Sequence, residues 1–339
     1  MDPVSLLLGS PRGRYLCANI GYACGDGTPY PSALQQSAAE VLDVLSGVDV
    51  DAIARLSEIE LLDALSLAVD LARYWQPPDE EDLMFARPDV VAALRPIARA
   101  ALAAPQARWW AEPVDLDNQC VVAKFDRRPS GTQLPRVPHD VDLGRWREDS
   151  LSNERRFREY LAADPTRDIS GEWWSTPVFS GAVDTSRPRQ RLGALELILE
   201  EDDSGAEYAR VWPVRVHGAP RIYEITGPAD WAHLVETYPL PLPASRRSVW
   251  FATTGEHHDW LIPDWAAVAA DYDAVHLTIH GYLATAGIAI PIAAHAGATV
   301  LAGWNPDATC WLRGEFFTVD DDPTDWQWTA DGKWTPVRG

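Results

Sequence analysis

Histidine, acidic and aromatic residues crowd the stretch 256–282, and their spacing suggests acid–base chemistry. His276, Thr278 and His280 alternate, so an extended strand would place all three side chains on one face. A histidine on such a face can act as a general base or bind a metal. We take Asp273 and His276 as catalytic candidates and predict no metal, because no second pair of ligands stands at a diagnostic spacing. The alternative is an ordinary core in which the histidines cap turns or hydrogen-bond internally.

Glu224 is a third catalytic candidate, because it lies between apolar neighbours in a strand-like segment. A carboxylate that points inward from such a segment needs a partner, or its pKa rises. Arg246 and Arg247 form the best local anion site, since adjacent arginines can grip a phosphate. Only two lysines accompany 27 arginines, which indicates a GC-rich coding genome. For the arginine pair, the alternative is therefore a solvated loop.

Two tryptophans flank a turn near the end of the chain. Trp304 and Trp311 stand on either side of an Asn-Pro-Asp sequence, which is typical of turns. Such a pair can offer a stacking surface for a ring or a base. Tyr282, at the end of the histidine-rich stretch, is a further candidate for contact with a substrate. The alternative is that turn and hairpin packing account for these aromatic residues.

The familiar catalytic motifs do not occur in the sequence. The chain contains no G-x-G-x-x-G, no G-x-x-x-x-G-K-[ST], no G-x-S-x-G and no H-E-x-x-H. These absences weigh against common Rossmann oxidoreductases, P-loop NTPases, α/β-hydrolases and zincins. They leave less familiar enzymes open, and the sequence predicts no particular cofactor.

Composition and charge narrow the class of protein. The 339 residues are 46% apolar and 23% charged, which is typical of a globular chain with a sizeable core. The net charge of −21 argues against a broad footprint on duplex nucleic acid but allows a local basic pocket. Four cysteines without a C-x-x-C pair favour the reduced cytoplasm. The sequence also predicts no signal peptide and no membrane span.

The elements that carry these residues follow two patterns. Apolar residues recur at three- and four-residue spacing from Ile53 to Leu71, which predicts helix there and, more broadly, over 34–104. We predict an α+β protein with a mainly helical domain over 1–125, a linker and helix over 126–168, and a strand-rich α+β domain with the candidate site over 169–339. The predicted strands include Cys120–Phe125, Trp173–Phe179, Leu192–Leu199, Ala209–Val216, Arg221–Ile225, Ser248–Thr253, Val275–Ile279 and Thr299–Ala302, and the predicted helices include Pro88–Ala104, Ser152–Ala163, Pro228–Tyr238 and Pro263–Asp271.

Three segments, Leu6–Arg14, Trp265–Asp273 and Gly303–Trp311, stand out together with the paired tryptophans. In these features the chain resembles an uncharacterised tryptophan-rich protein family of GC-rich Gram-positive bacteria, and that resemblance implies no established activity. A fainter analogy is to ADP-ribosyltransferase-like folds, which implies a compact, mixed domain with a cleft. The sequence departs from that pattern, because proline follows Ser175-Thr176 and no E-x-E comes after it.

Two functions from different classes fit these features. The first is a transferase or glycohydrolase that acts on a nucleotide-like substrate such as NAD, with Trp304 or Trp311 stacking on a ring and the arginine pair holding phosphate. The second is a non-enzymatic acidic binding or immunity-type protein whose exposed tryptophans anchor a protein partner. Tryptophans around one deep pocket would favour the enzyme, tryptophans on a flat surface the binding protein, and tryptophans scattered through the core neither.

Overall fold

The computed structural model describes residues 2–24, 36–129, 141–167, 169, 171–203 and 205–337. Helices lie mostly in the first part and strands in the second, which confirms the predicted α+β class. The helices are α1 (Pro3–Gly9), α2 (Pro11–Ala23), α3 (Ala38–Ser46), α4 (Val50–Ile53), α5 (Glu58–Asp70), α6 (Glu80–Phe85), α7 (Pro88–Ala103), α8 (Leu143–Ala163), α9 (Pro228–Thr237), α10 (Arg247–Thr254), α11 (Trp265–Asp271) and α12 (Ile279–Thr285). The strands are β1 (Gln119–Phe125), β2 (Val183–Thr185), β3 (Pro188–Arg189), β4 (Gly193–Ala194), β5 (Tyr208–Val216), β6 (Ile222–Ile225), β7 (Pro239–Pro241), β8 (Leu261–Pro263), β9 (Ala274–Leu277), β10 (Ile290–Ile292), β11 (Gly297–Thr299), β12 (Thr309–Trp311), β13 (Phe317–Val319), β14 (Thr324–Trp328) and β15 (Trp334–Pro336).

Side-chain caps set where the N-terminal helices begin. Ser10 ends α1 and accepts the backbone N–H of Gly13 at the start of α2. Ser57 and Glu60 form a capping box that starts α5, so the helix predicted from residue 53 onward is interrupted between α4 and α5. Pro96 lies inside α7 without dividing it. The prediction of helix over 34–104 is confirmed in outline, with breaks where caps and turns intervene.

Two sheets make up most of the strand-rich part. The larger has the strand order β1-β5-β14-β15, and β13 also pairs with β5. The second has the order β2-β12-β9-β6, in which β6 and β9 are parallel. A parallel pair needs a crossover connection, and here α9, α10 and α11 lie in it. The pairing sets two segments about fifty residues apart side by side.

Some predicted strands are confirmed and others are wrong. Cys120–Phe125 and Ala209–Val216 lie in β1 and β5. Ser248–Thr253 instead belongs to α10, because its apolar residues bury one helical face and the indole of Trp250 donates to the carbonyl of Trp173. Trp173–Phe179 is irregular, and Leu192–Leu199 contains only the two-residue strand β4 and a 3₁₀ turn.

Helix α8 is longer than predicted. It begins at Leu143, because the side chain of Asp142 accepts the backbone N–H of Arg145 and caps the helix there. The irregular part of the predicted linker is therefore shorter than the sequence suggested. Residues 130–140 of that linker lie outside the described residues.

One apolar cluster joins the helical and the strand-rich parts. It includes Leu65 and Ile97 from the helices and Trp231, Val275 and Leu301 from the later segment. Twelve of the 16 tryptophans are buried. They are therefore core residues first, and their distribution by itself favours neither of the two functions.

Candidate functional site

The parallel pair β6 and β9 brings two of the catalytic candidates together. Glu224 and His276 are register partners, and Nδ1 of His276 lies 2.6 Å from Oε2 of Glu224. His276 is buried, whereas 26% of the Glu224 side chain is exposed. Glu224 thus has the partner that an inward carboxylate in a strand requires.

Asp307 and Arg187 extend this pair into a row of alternating charges. Oδ1 of Asp307 lies 3.6 Å from Nε2 of His276 and 2.7 Å from Nε of Arg187. Burial lowers the pKa of His276, but the carboxylates of Asp307 and Glu224 outweigh that effect, and the pKa is raised. The imidazolium form is therefore favoured. We call Glu224, His276, Asp307 and Arg187 the charge row.

Residues of the N-terminal part of the chain contact the charge row. The backbone N–H of Val114 donates to Oε1 of Glu224 over 3.0 Å. The guanidinium groups of Arg187 and Arg189 both lie over the ring of Trp109, at 5.2 and 4.3 Å from its centre. Among the four residues of the row, Glu224 alone reaches solvent to any extent. The row therefore faces little open space.

Sequence reasoning missed two members of the charge row. Asp307 was interpreted only as part of a turn, and it does occupy one, with a φ of 62°. Because the chain is rich in arginine, the presence of an arginine at position 187 does not by itself indicate a functional residue. Their buried positions come from the packing of β2 and β12 against β9, which no local pattern shows.

The predicted one-sided strand of His276, Thr278 and His280 is wrong. Strand β9 ends before Thr278, whose hydroxyl accepts the backbone N–H of Gly281 and caps α12. His280 therefore lies on a helix, with its ring edge-on to Trp110. Burial lowers the pKa of His280.

Asp273 has partners of its own and does not join the charge row. Its carboxylate accepts the backbone N–H of Arg221 over 2.7 Å. It also lies 3.3 Å from the guanidinium of Arg221 and 3.6 Å from that of Arg313. Burial raises the pKa of Asp273, but these hydrogen bonds and cations reverse the effect, so the pKa is lowered. The contacts fit a structural anchor at the start of β9.

The two tryptophans chosen for stacking are closed off in the core. Trp304 packs against Trp231 and Trp265, and its indole N–H donates to the carbonyl of Ala308. Trp311 is fully buried, and its indole N–H donates to the hydroxyl of Thr185. Neither ring has an open face, so stacking on a substrate would require the core to open.

The remaining substrate-contact candidates lie apart from one another. Arg246 is buried, and its guanidinium is paired with Glu172 at 3.0 Å. Arg247 is exposed at the start of α10, so the two arginines do not converge on one anion. Tyr282 is buried in α12, and burial, together with the charge of Glu201, raises its pKa.

A cleft of about 670 Å³ separates α5 from the hairpin of β14 and β15, and we call it the helix–hairpin cleft. Its volume lies within the range of small-molecule sites, roughly 300–1,000 Å³. Residues at helical spacing on α5 form one wall. The opposite wall carries Trp328 and Trp334, whose rings meet edge-on at 5.6 Å. The α5 wall consists of Ile59, Asp63, Ser66, Leu67 and Asp70.

Three of the nine large apolar side chains that are exposed in the described residues line the helix–hairpin cleft. Ile59, Leu67 and Trp328 are 39%, 53% and 43% exposed, and all three line it. Leu197 and Ile198 close its floor from the segment after β4. Large apolar side chains that are open to solvent and face one another are typical of a surface that another molecule covers.

Carboxylates surround this apolar surface. Asp63 and Asp70 stand on the α5 wall, and Glu200 and Asp203 also line the cleft. The backbone of Asp203 hydrogen-bonds to the carboxylate of Asp70. Burial raises the pKa of Asp63, Asp70 and Glu200. Within the described residues, neither Asp63 nor Asp70 has a cation at ion-pair distance, although the more distant Lys333 and Arg73 favour their charged forms.

Both lysines of the protein lie at the helix–hairpin cleft. Lys124 is paired with Glu200, lies 3.5 Å from Asp203, and sits 5.8 Å from the centre of the Trp334 ring. Lys333 lines the cleft in the turn between β14 and β15. Arg191 also lines the cleft, so three cations stand near its four carboxylates. Among the described residues, only Lys124 lies at ion-pair distance from any of those carboxylates.

Comparisons with known proteins identify no relative. No family model, no curated protein and no solved structure matches the chain. In the described part of the chain, no three histidine, cysteine or acidic side chains stand together as a metal site would need. No helix within those same ranges has the length and apolar character needed to cross a membrane.

Proposed function

We propose that the protein binds a small organic cation with an apolar body in the helix–hairpin cleft. The observation that carries this proposal is the meeting of exposed apolar side chains with Asp63 and Asp70, two carboxylates that have no cation at ion-pair distance among the described residues. Burying the apolar body of a ligand against Leu67 and Trp328 would remove apolar surface from water. This is a binding function within the second of the two classes that the sequence suggested, with a small ligand in place of a protein partner.

The charges around the cleft favour a cation over an anion or a neutral ligand. Asp63 and Asp70 are partly desolvated, so each would gain from a positive partner. The face of an exposed indole such as Trp328 also attracts a cation, by about 0.5–2 kcal/mol. The net charge of −21 adds a long-range field of the same sign.

The proposal is tested with three ligands that share a ring and differ in charge: benzylamine, benzyl alcohol and benzoate. Isothermal titration calorimetry on the full chain should rank their affinities in that order. Trp328→Ala should weaken benzylamine binding by roughly five- to thirtyfold, the equivalent of about 1–2 kcal/mol. Phe251→Ala removes an equally exposed aromatic ring outside the cleft, and it should leave binding unchanged.

A double variant separates charge from apolar contact. Asp63→Asn with Asp70→Asn should abolish the preference for benzylamine over benzyl alcohol and leave the affinity for the alcohol intact. Equal affinities for the three ligands in the parent protein, or no binding by any of them, would reject the proposal.

The other proposal, a transferase or glycohydrolase acting on a nucleotide such as NAD, keeps one supporting observation. Glu224 and His276 lie at hydrogen-bond distance, as an acid–base pair would. Its other residues are occupied or closed, since Arg246 is paired with Glu172 and both stacking tryptophans are buried. A thermal shift with NAD that is lost in Glu224→Gln would favour this function over the cation site.

A further inference from the structure

A second cavity lies next to the C-terminal end of α5. It has a volume of about 430 Å³ and is bounded by the start of α2, the segment between α5 and α6, the end of α10 and the loop after α12. Three arginines line it, Arg12, Arg14 and Arg73. We call it the arginine cavity. Three carboxylates, Asp79, Asp82 and Glu256, line it as well, so the formal charges of its wall balance.

The carboxylates in the wall of the arginine cavity already have partners. Asp82 is paired with Arg12 at 2.6 Å. Asp79 accepts the backbone N–H of Asp82 and so caps α6. Glu256 lies at the rim, is largely exposed, and is 2.7 Å from Nε2 of His258. The negative charges of the wall are therefore committed to protein groups or to solvent.

Arg14 is the cation in the wall that lacks an anion. Its Nη1 donates to the carbonyls of Leu8 and Gly9 at 3.1 and 3.2 Å. Within the described residues no carboxylate lies at ion-pair distance from Arg14, and burial lowers the pKa of its guanidinium. Removing a cation from water without an anionic partner costs free energy, and a bound anion would recover part of it.

Arg12 and the start of α2 support the same ligand. The side chain of Arg12 is only 1% exposed, and its Nε has no hydrogen-bond partner among the described residues. α2 is a helix of 13 residues, and its first residues, Pro11 and Arg12, line the cavity. The dipole at the N-terminus of a helix attracts negative charge. Pro11 has no N–H and Ser10 accepts the N–H of Gly13, so α2 contributes here mainly through its dipole. Arg73 adds a charge at the rim, with its nearest carboxylate, Asp202, at 3.5 Å.

We infer that the arginine cavity is a second ligand site, which binds the oxyanion of a small molecule, a carboxylate or a phosphate monoester. Arg14 is its principal ligand group, and the start of α2 completes it. The site is independent of the helix–hairpin cleft, because the two share no lining residue. It also gives the segment Leu6–Arg14 a role beyond packing.

Titration of the full chain with methyl phosphate and with acetate at low ionic strength tests the inference and separates the two sources of oxyanion. At least one of them should bind saturably with a Kd of about 1 mM or tighter. Ala86→Glu adds a carboxylate to the exposed wall of the cavity and should weaken that binding by roughly tenfold or more. Ala229→Glu, on an exposed turn of α9 outside the cavity, is the matched control and should bind as the parent protein does.

Arg14→Gln should abolish oxyanion binding, and Arg14→Lys should restore part of it. Arg14 also holds the carbonyls at the end of α1, so Ala86→Glu keeps the inference testable if the Arg14 variants fold poorly. Absence of saturable binding by both anions, or binding that Ala86→Glu and a folded Arg14→Gln leave intact, would overturn it.

Discussion

At the scale of single residues, Glu201 carries the clearest dependence on pH. It is buried, and it accepts the backbone N–H of Gly303 over 2.7 Å. Burial raises the pKa of Glu201 from its ordinary value of 4.5 to about 8, despite the hydrogen bonds that it accepts. The native state therefore retains a proton that the unfolded chain releases near pH 4.5. The free energy of unfolding should fall as the pH rises from about 4.5 to about 8.

Glu201→Gln should remove this part of the pH dependence. The amide oxygen of glutamine can accept the same N–H, and the side chain never ionises. The variant should be more stable than the parent protein at pH 8, and its stability should vary less between pH 5 and pH 8, when both are measured by urea unfolding. Glu207→Gln, an exposed site, is the control and should leave the slope unchanged. A slope between pH 4.5 and pH 6.5 that is as steep in Glu201→Gln as in the parent protein would assign the effect to another group, such as Glu196, whose pKa burial also raises.

His276 also makes the free energy of unfolding fall as the pH rises. Its pKa is raised in the folded state, so the stability that its imidazolium contributes is fully present below the ordinary value of 6.5. That contribution is lost as the pH rises through the raised folded pKa. A residual slope in Glu201→Gln above pH 6.5 is therefore expected from the charge row, and His276→Gln should reduce it. Burial also raises the pKa of Glu196, which accounts for the slope that remains.

At the scale of elements, the crossing of α1 and α2 depends on one glycine. A Cβ built on Gly13 would lie 1.8 Å from the carbonyl oxygen of Leu7, which is backbone and cannot move aside cheaply. Gly13→Ala should destabilise the protein by about 3 kcal/mol, because it must separate two helices that lie at the core. Chemical denaturation measures the loss.

Gly9, at the end of α1, is the matched control for Gly13. A Cβ there would meet nothing within 4 Å, so Gly9→Ala should change the stability by less than about 1 kcal/mol. Equal effects of the two substitutions would mean that backbone entropy, and not the contact with Leu7, sets the cost at Gly13.

Some secondary-structure elements can be predicted from their own residues, and others depend on contacts outside the segment. Helical periodicity and capping chemistry are local, so α5, α7 and α9 were predictable in outline from their own residues. Ser248–Thr253 has strand-like composition, yet it is a helix because Trp250 must reach the carbonyl of Trp173, a contact that lies outside the segment. Glu224 and His276 were each chosen from local surroundings, but the register that joins them depends on the crossover between β6 and β9.

At the scale of the whole molecule, the helical and strand-rich parts share one apolar cluster. They are also joined by polar contacts, since Val114 donates to Glu224 and Arg189 pairs with Glu58. If the helical domain over 1–125 that the sequence predicts stood alone, the apolar side chains of α1 and α2 that contact α12 would be exposed. We therefore expect the two parts to unfold together.

Two optical signals can follow the two parts separately. Far-ultraviolet circular dichroism reports mainly on the helices, many of which lie before residue 125, whereas tryptophan fluorescence reports mainly on the later part, where 12 of the 16 tryptophans stand at or after residue 173. One cooperative unit requires both signals to change with the same midpoint and the same steepness in urea. If the dichroism changes at a lower urea concentration than the fluorescence, the helical part is an independent domain and the shared cluster is only an interface.

The charge row lies at the junction of the two parts. If the protein unfolds as one unit, His276→Gln should lower the common midpoint without separating the two curves. If it does not, His276→Gln should separate them.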